Sequence, residues 1–224
     1  MEGASCQAGP SPTARALRLE GIRADAATAL RALLDSLPDP PWDVDLAADD
    51  ELAGPLAAVG FEVYARMITM ARPLAGLPRA MAGFGVRIEP YRNEWAEDFS
   101  AFESEAMADL AAFREMGQPT GYEQAEGFDC CLAARDDADQ IVGFAQVMVP
   151  EGWINWLGVA PAARRRGIGH RLVSEVADTL RAAAGTHLAA LVEDGTDAVP
   201  FLARLGFRER GRRALMIYRG GGGD

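Results

Sequence analysis

The sequence has few cysteines, no long apolar run and fewer positive than negative charges. Cys6, Cys130 and Cys131 have the spacing of neither a metal site nor a disulfide framework, so no metal is predicted and a reducing compartment, the cytoplasm, is expected. No run of about 18 apolar residues and no basic segment followed by an apolar run occurs, so neither a membrane span nor a secretory signal is predicted. Lysine and arginine total 22 against 33 acidic residues. The net charge of -11 argues against nucleic-acid and membrane partners and favours cationic substrates.

The apolar periodicity predicts one large mixed fold in the second part of the chain. The 224 residues, 49% of them hydrophobic, are enough to bury a sizeable core. Predicted strands lie at 86–90, 128–135, 141–149, 153–159 and 187–193, predicted helices lie within 94–116, 170–184 and 198–205, and a last pair of short strands surrounds RERGRR. This order favours a mixed α/β sheet over a doubly wound parallel sheet.

A gapless shift of the sequence onto itself indicates an internal repeat. It moves Arg18, Gly21 and Ile22 onto Arg164, Gly167 and Ile168, and Gly60 and Phe61 onto Gly206 and Phe207. Coincidence is the alternative, because the chain is rich in alanine, leucine and arginine. As a duplication, the pattern predicts a frayed leader 1–11, a degenerate half-copy 12–75, a linker 76–85, a complete domain 86–219 and a flexible tail 220–224. The half-copy cannot close a sheet alone, so the second block or a homodimer partner would cover its edge.

The segment VAPAARRRGIGHRL, Val159 to Leu172, places three arginines and two glycines where a helix is predicted to begin. The first N–H groups of a helix have no intrahelical acceptor and carry partial positive charge, so they bind anions. Gly167 and Gly169 allow close approach to a phosphate, while Arg164, Arg165 and Arg166 supply charge and paired donors. The alternative is an exposed basic turn. A Walker phosphate loop is excluded, because no Lys-Ser/Thr follows the second glycine.

Two motifs together resemble the GCN5-related N-acetyltransferase superfamily. LGVAPAARRRGIG, residues 157–169, resembles its coenzyme A signature at Arg164, Gly167 and Gly169, and PFLARLGF, residues 200–207, resembles its later helix-to-strand motif. The resemblance covers about residues 86–219. It implies a mixed, mostly antiparallel sheet with helices on both faces, and an acetyl-CoA-dependent transfer of an acetyl group to a primary amine of a small molecule or peptide.

The resemblance also implies which residues hold acetyl-CoA. Main-chain groups of Leu157, Gly158 and Val159 would pair with the pantetheine arm where this strand diverges from the next one. The N–H groups from Arg165 through Gly167, Ile168 and Gly169 to His170 would bind the pyrophosphate. An N–H near Val159 would stabilise the oxyanion. The milder interpretations are that Gly158 marks a β-bulge and that His170 is a surface residue.

Direct attack by the acceptor requires a neutral amine, so a base is expected. An alkylamine of pKa near 10 is only about 10⁻³ deprotonated at pH 7. Glu151, Glu193 and Asp194 are the candidate bases, although each also fits a solvated charge at a strand end. Trp153, Trp156 and, in the loop 117–127, Tyr122, Glu123 and Glu126 are candidates for the acceptor cleft, and loop polarity explains the last three equally well. Cys130 and Cys131 have no base beside them, so no acyl-enzyme is expected.

Two positions depart from the family pattern. Leu202 stands where many members have a tyrosine that protonates the departing thiolate, and Gly195 stands where an asparagine contacts the cofactor. A thiol of pKa about 8.5 is still a tolerable leaving group. The competing hypothesis is a non-catalytic acyl-CoA sensor or assembly module. The half-copy has Arg23 at the position of Gly169 and is expected to be inactive.

Overall fold

The computed structural model describes residues 7–10, 15–19, 27–36, 43–48, 50–80, 85–111 and 130–219. The described strands are β1 (Gln7–Pro10), β2 (Arg15–Leu19), β3 (Asp43–Ala48), β4 (Glu62–Pro73), β5 (Val86–Pro90), β6 (Cys130–Asp136), β7 (Ile141–Met148), β8 (Trp153–Val159), β9 (His187–Glu193) and β10 (Arg208–Arg219). The described helices are α1 (Ala27–Ser36), α2 (Asp50–Ala58), α3 (Ala96–Met107), α4 (Ile168–Ala182) and α5 (Ala198–Arg204). The chain divides into two compact units, Met1–Ile68 with Gly211–Asp224, and Thr69–Arg210.

The first unit combines the two ends of the chain in one sheet. Its strand order is β1-β2-β3-β10-β4, in which β2 and β3 are parallel while β1 with β2 and β3 with β10 are antiparallel. Leu56 and Met216 are fully buried in its core. Gly60 turns the chain into β4 with a φ of +99°, and the Arg31 guanidinium donates to the Val59 carbonyl at 2.9 Å. Strand β3, which lies within the half-copy predicted at 12–75, pairs with Ala214–Arg219 of β10.

The second unit is a mixed, mostly antiparallel sheet with a helix on each face. Its strand order is β4-β9-β8-β7-β6-β5, antiparallel from β5 to β8 and parallel between β8 and β9. On one face the ring of Phe99 in α3 lies 4.5 Å from that of Phe144 in β7. On the other face, a Cβ on Gly143 would lie 3.0 Å from Ile168 and 3.1 Å from Leu172 of α4. The fold class predicted from the sequence is confirmed.

Helix α4 forms because apolar residues recur every three or four positions. Its buried residues are Ile168, Leu172, Val173, Ser174, Val176, Ala177 and Leu180, which make one continuous face toward the sheet. At its end the Gly185 N–H donates to the Leu180 carbonyl at 2.8 Å. The left-handed residue of this turn is Ala184, with a φ of +60°, and not the following Gly185.

Two expectations about local structure were wrong. The predicted pair of strands around RERGRR is the single strand β10, and residues 208–212 are exposed, so their polarity reflects an exposed strand and not a turn. The leader predicted to be frayed contains β1, because Gln7–Pro10 pair with Arg15–Arg18 in spite of their glycine and proline. The predicted end of the half-copy at residue 75 and the predicted start of the complete domain at residue 86 depend on the duplication hypothesis, so both stay predictions.

None of the helices in the described ranges combines the length and the hydropathy that crossing a bilayer requires.

Candidate functional site

Strands β8 and β9 separate after two residue pairs. Trp153 pairs with Ala189 and Ile154 with Ala190, although β8 continues to Val159 and β9 to Glu193. On its other edge β8 stays paired with β7 as far as Val159. The later part of β8 therefore has no partner in β9. Main-chain amides need hydrogen-bond partners, so an extended amide-containing chain is the natural occupant of this opening.

A β-bulge in β8 marks the start of the opening. The register passes from Val147–Ile154 to Gln146–Trp156, which leaves Asn155 without an opposite residue on β7. The bulge is not at Gly158, where the sequence allowed one, because Gly158 pairs regularly with Phe144. The bulged strand bends here, and the divergence from β9 begins at the same residue.

The N-terminus of α4 lies beside the end of β8. A Cβ on Gly169 would lie 3.7 Å from Val159 Cγ2 and 3.2 Å from Phe201 Cζ, so a larger residue would crowd this corner. The first hydrogen bond of the helix runs from the Arg171 N–H to the Gly167 carbonyl at 3.1 Å. The N–H groups of Ile168, Gly169 and His170 precede it, and no acceptor for them is found among the described residues.

The loop before α4 has the backbone form of an anion-binding nest. Arg165 and Gly167 both adopt left-handed conformations, with φ of +66° and +80°, on either side of Arg166. Alternation of this kind turns successive N–H groups toward one point. The side chains of Arg165 and Arg166 are exposed, whereas that of Ile168 is buried, so Ile168 can offer only its N–H. His170 contacts the Pro78 carbonyl through Nε2 at 3.2 Å.

Arg164 connects the end of β8 to the end of α3. Its Nε donates to the Val159 carbonyl at 3.1 Å and its Nη2 to the Ala106 carbonyl at 3.3 Å. The sequence predicts this arginine as a phosphate contact; in the structure its Nε and Nη2 donate to main-chain carbonyls, and Nη1 takes part in neither of these bonds. Arg165 and Arg166 are the arginines of the motif that are exposed at the nest.

The candidate bases lie at opposite ends of the strands. Glu193 ends β9 where the strand has diverged from β8, and Asp194 follows it. Glu193 Oε1 accepts from the Ala111 N–H at 3.1 Å. Asp194 Oδ1 accepts from the Gly195 N–H at 2.9 Å. Glu151 precedes β8 at the paired end, together with Trp153, and the length of the strand, about 20 Å, separates this end from Val159. The structure thus brings Glu193 and Asp194, but not Glu151 or Trp153, to the diverged ends of the strands.

The arrangement of diverging strands followed by an anion-binding helix start agrees with the family match. Residues 88–207 match the model of the Acetyltransferase (GNAT) family. The chain belongs to the GNAT family. No curated protein matches this GNAT chain.

Solved structures of GNAT proteins share its fold. A GCN5-related N-acetyltransferase from Kribbella flavida is 19% identical with a TM-score of 0.64, over 97% of this chain and 90% of that one. One from Sphaerobacter thermophilus is 17% identical with a TM-score of 0.60, over 90% and 72%. A tandem GNAT protein from the clavulanic acid biosynthesis pathway is 15% identical with a TM-score of 0.64, over 95% and 77%.

The α3 side of the GNAT sheet contains aromatic rings that the motifs do not predict. The Trp156 ring lies 5.6 Å from that of Phe102 and 5.3 Å from that of Phe144. A Cβ on Gly158 would lie 2.7 Å from Trp156 Cη2, so the absence of a side chain at Gly158 makes room for this ring. Trp156 Nε1 is buried and has no hydrogen-bond partner among the described residues. Trp156, rather than Trp153, therefore lies at the opening.

Three polar residues on this side were missed by sequence reasoning. Asn155 Nδ2 donates to Gln146 Oε1 at 2.8 Å, and Gln146 is buried within β7. Glu103 is buried on α3, and this burial raises the pKa of its carboxyl above the usual value. A polar residue in the middle of each apolar strand, IVGFAQVM and WINWLGV, was the available signal for Gln146 and Asn155. The acidic segment AEDFSAFESEAM gives no comparable signal for Glu103.

The remaining predicted positions lie either outside the described residues or in the core. Tyr122, Glu123 and Glu126 lie outside the described residues. Leu202 is buried in α5, 1% exposed, so the position of the family tyrosine is part of the core. Across the described ranges, no three His, Cys, Asp or Glu side chains group closely enough to hold a metal ion.

Proposed function

We propose that this protein transfers the acetyl group of acetyl-CoA to a primary amine of a small molecule or peptide, by direct attack within a ternary complex. The observation that carries the proposal is the opening between β8 and β9, which begins at the Asn155 bulge and ends beside the N-terminus of α4. Bound acetyl-CoA would supply an acyl carbon activated as a thioester. All described residues of the candidate site belong to the second unit, Thr69–Arg210.

The fit of coenzyme A rests on main-chain groups. Leu157, Gly158 and Val159 lie where β8 has no partner in β9, so they can pair with the amides of the pantetheine arm. The N–H groups of Ile168, Gly169 and His170 can donate to the pyrophosphate, and Arg165 and Arg166 add positive charge beside them. An N–H near Val159 would stabilise negative charge on the carbonyl oxygen.

Glu193 is the preferred base, and Asp194 is the second choice. In the reaction the amine nitrogen bonds to the thioester carbon, the C–S bond breaks with its electron pair on sulfur, and the ammonium proton goes to the base. Deprotonating an alkylamine of pKa near 10 at pH 7 costs about 4 kcal/mol, which a carboxylate near the amine offsets in part. The hydrogen bond from the Ala111 N–H to Glu193 Oε1 orients the carboxylate at the diverged end of β9.

A non-catalytic acyl-CoA sensor is the second candidate function, and Leu202 favours it. This side chain is apolar and buried, so it cannot protonate the departing thiolate. Turnover without that proton is compatible with the ordinary thiol pKa of about 8.5. Release of free thiol in the presence of an amine separates the two functions.

We also propose that residues 12–75 are an inactive partial copy of the second block. The shift that moves Arg18 onto Arg164 also moves β4, Glu62–Pro73, onto the bounds of β10, Arg208–Arg219. The same shift places the end of α1, Ser36, on the end of α4, Ala182. These coinciding ends support a duplication, and Arg23 in place of the second glycine supports loss of activity.

The test is a calorimetric titration of the full chain with acetyl-CoA, followed by a thiol-release screen of primary amines. Saturable binding, thiol release that depends on one class of amine, and intersecting double-reciprocal plots are expected. Incubation with acetyl-CoA alone should leave the mass of the protein unchanged, because no acyl-enzyme forms. Binding without release for every amine would establish the sensor, and absence of binding would refute both functions.

A further inference from the structure

A buried side-chain amide lies in the middle of an otherwise apolar strand. Gln146 is 8% exposed, and it is the one polar side chain in IVGFAQVM, the sequence of β7. Burying an amide is costly unless it is hydrogen-bonded, whereas an apolar residue of similar size would satisfy this strand without any partner. The amide at this position therefore requires an explanation other than packing.

The partner of Gln146 is the bulged residue of β8. Gln146 Oε1 accepts from Asn155 Nδ2 at 2.8 Å. Asn155 is the extra residue of the bulge, so no residue of β7 lies opposite it. The Trp156 ring packs against Phe102 and Phe144, so packing holds the residue that follows the bulge. The amide of Gln146 holds the bulged residue itself.

The bulge determines which main-chain groups face the opening between β8 and β9. Successive residues of a strand direct their N–H groups to opposite edges, so one extra residue exchanges the edges for every residue that follows it. Pairing with β9 ends at Ile154, the residue before the bulge. The N–H groups from Leu157 to Val159, where the pantetheine arm and the carbonyl oxygen are proposed to bind, come after it. The bulge therefore sets the direction of these N–H groups.

We propose that Gln146 is a positioning residue of the transferase, which acts through Asn155 to hold the bulge and hence the main-chain groups that meet the thioester. This inference rests on the proposed transferase function, because it concerns the geometry of the same site. The transition state depends more strongly on the exact placement of an N–H than cofactor binding does. Loss of the hydrogen bond between the two side chains should therefore lower kcat more than it weakens acetyl-CoA binding.

The test compares variants that remove this hydrogen bond, Gln146→Leu and Asn155→Ala, with one that keeps it. Asn155→Asp keeps it because Gln146 can donate through Nε2 to a carboxylate oxygen, and position 155 is exposed, so the new charge stays solvated. In the thiol-release assay, Gln146→Leu and Asn155→Ala should each lower kcat at least about fivefold, which corresponds to one hydrogen bond. The double variant should be no slower than either single variant, and Asn155→Asp should keep most of the wild-type kcat.

Leu180→Ala is the control for a general loss of stability. Leu180 is fully buried in α4, so this change should lower the melting temperature and leave the kcat of the folded protein unchanged. The dissociation constant of acetyl-CoA, measured by calorimetry, should change less than kcat in Gln146→Leu and Asn155→Ala. Additive losses of kcat in the double variant, or an equal loss in Leu180→Ala, would show that the pair is only structural and would overturn the proposal.

Hydrogen exchange of the main-chain amides provides a readout that does not require activity. In Gln146→Leu and Asn155→Ala, the amides from Asn155 to Val159 should exchange at least about fivefold faster, while those of β6 should be unchanged. Unchanged exchange in both variants would show that Gln146 does not hold the bulge. Absence of thiol release from the wild-type protein with every amine would instead refute the transferase, and the exchange measurement would still decide whether Gln146 holds the bulge.

Discussion

Replacing Glu103 by glutamine should stabilise the protein at neutral pH. The folded-state pKa of this carboxyl is raised above the usual 4.5 because burial disfavours the charged form. The folded protein therefore binds this proton more tightly than the unfolded chain does. The contribution of Glu103 to stability then falls as the pH rises from about 4.5 through the raised folded pKa, and the loss is complete above that pKa.

The magnitude follows from what surrounds the group. The side chain is 8% exposed, and neither β7 nor β8 carries a cation that would offset its desolvation. An enclosed polar group without a partner costs about 1–3 kcal/mol, and the Glu103 oxygens, which are not fully enclosed, should lie at the lower end of that range. Because each kcal/mol moves the melting temperature of a chain of this size by about 2–4 °C, the glutamine variant should melt about 2–4 °C higher at pH 8. At pH 4 the two proteins should melt at similar temperatures.

The assay is thermal unfolding of wild type, Glu103→Gln and Glu105→Gln between pH 4 and pH 8. The other carboxyl groups titrate in all three proteins, so their effects cancel when the melting temperatures of the proteins are subtracted at each pH. The exposed Glu105 should show a difference close to zero at every pH. A glutamine variant at position 103 that is less stable at pH 8, or a gain that does not depend on pH, would show that the carboxylate is not an unpaired buried charge.

Three further substitutions test the site. Gly167→Ala places a side chain at a φ of +80°, so it should cost about 1–2 kcal/mol of stability and lower acetyl-CoA affinity at least tenfold in calorimetry. Gly76→Ala is the control, because Gly76 has a φ of +69° and open space around it. It should lower stability by a similar amount and leave acetyl-CoA affinity unchanged. An equal loss of affinity in both variants would contradict the nest. Gly158→Ala should displace the Trp156 ring and lower the free energy of unfolding by about 1–3 kcal/mol. If unfolding and the near-ultraviolet spectrum were both unchanged, this prediction would be wrong. A lysine at position 164 cannot donate to both carbonyls, so Arg164→Lys should lower stability by about 1–2 kcal/mol. If acetyl-CoA binding to this variant were less salt-dependent than binding to the wild type, Arg164 would instead be a phosphate contact.

The parts of the site that depend on local sequence were predictable. The bounds of β8 and β9 agree with the predicted ranges, because alternating apolar residues and flanking turn residues define a strand locally. The helix start after the arginines was predictable for the same reason, since glycine conformation and unpaired N–H groups belong to a few consecutive residues.

The parts that depend on distant packing were not predictable. Glu103 lies in the acidic segment AEDFSAFESEAM, where a solvated charge is the natural interpretation, and only contact with β8 distinguishes its face of the helix. The bulge at Asn155 is a property of the register between two strands and has no signal in either one alone. The hydrogen bond from Arg164 to the Ala106 carbonyl was not predictable, because Ala106 lies 58 positions away in the chain.

The first unit is built from two segments that lie far apart in the chain, so its parts become available for folding at different times during synthesis. Strand β3 lies in the N-terminal part of the chain, but its antiparallel neighbour β10 is near the other end. About 140 residues separate the two segments of this unit, which at about 5–20 residues per second takes roughly 7 to 30 s to translate. The second unit, whose residues are contiguous, can acquire its core in that interval, while the earlier segment waits with one strand edge uncovered. We therefore expect nascent chains of this protein to present a β-edge to chaperones, or to one another on a polysome, until β10 emerges.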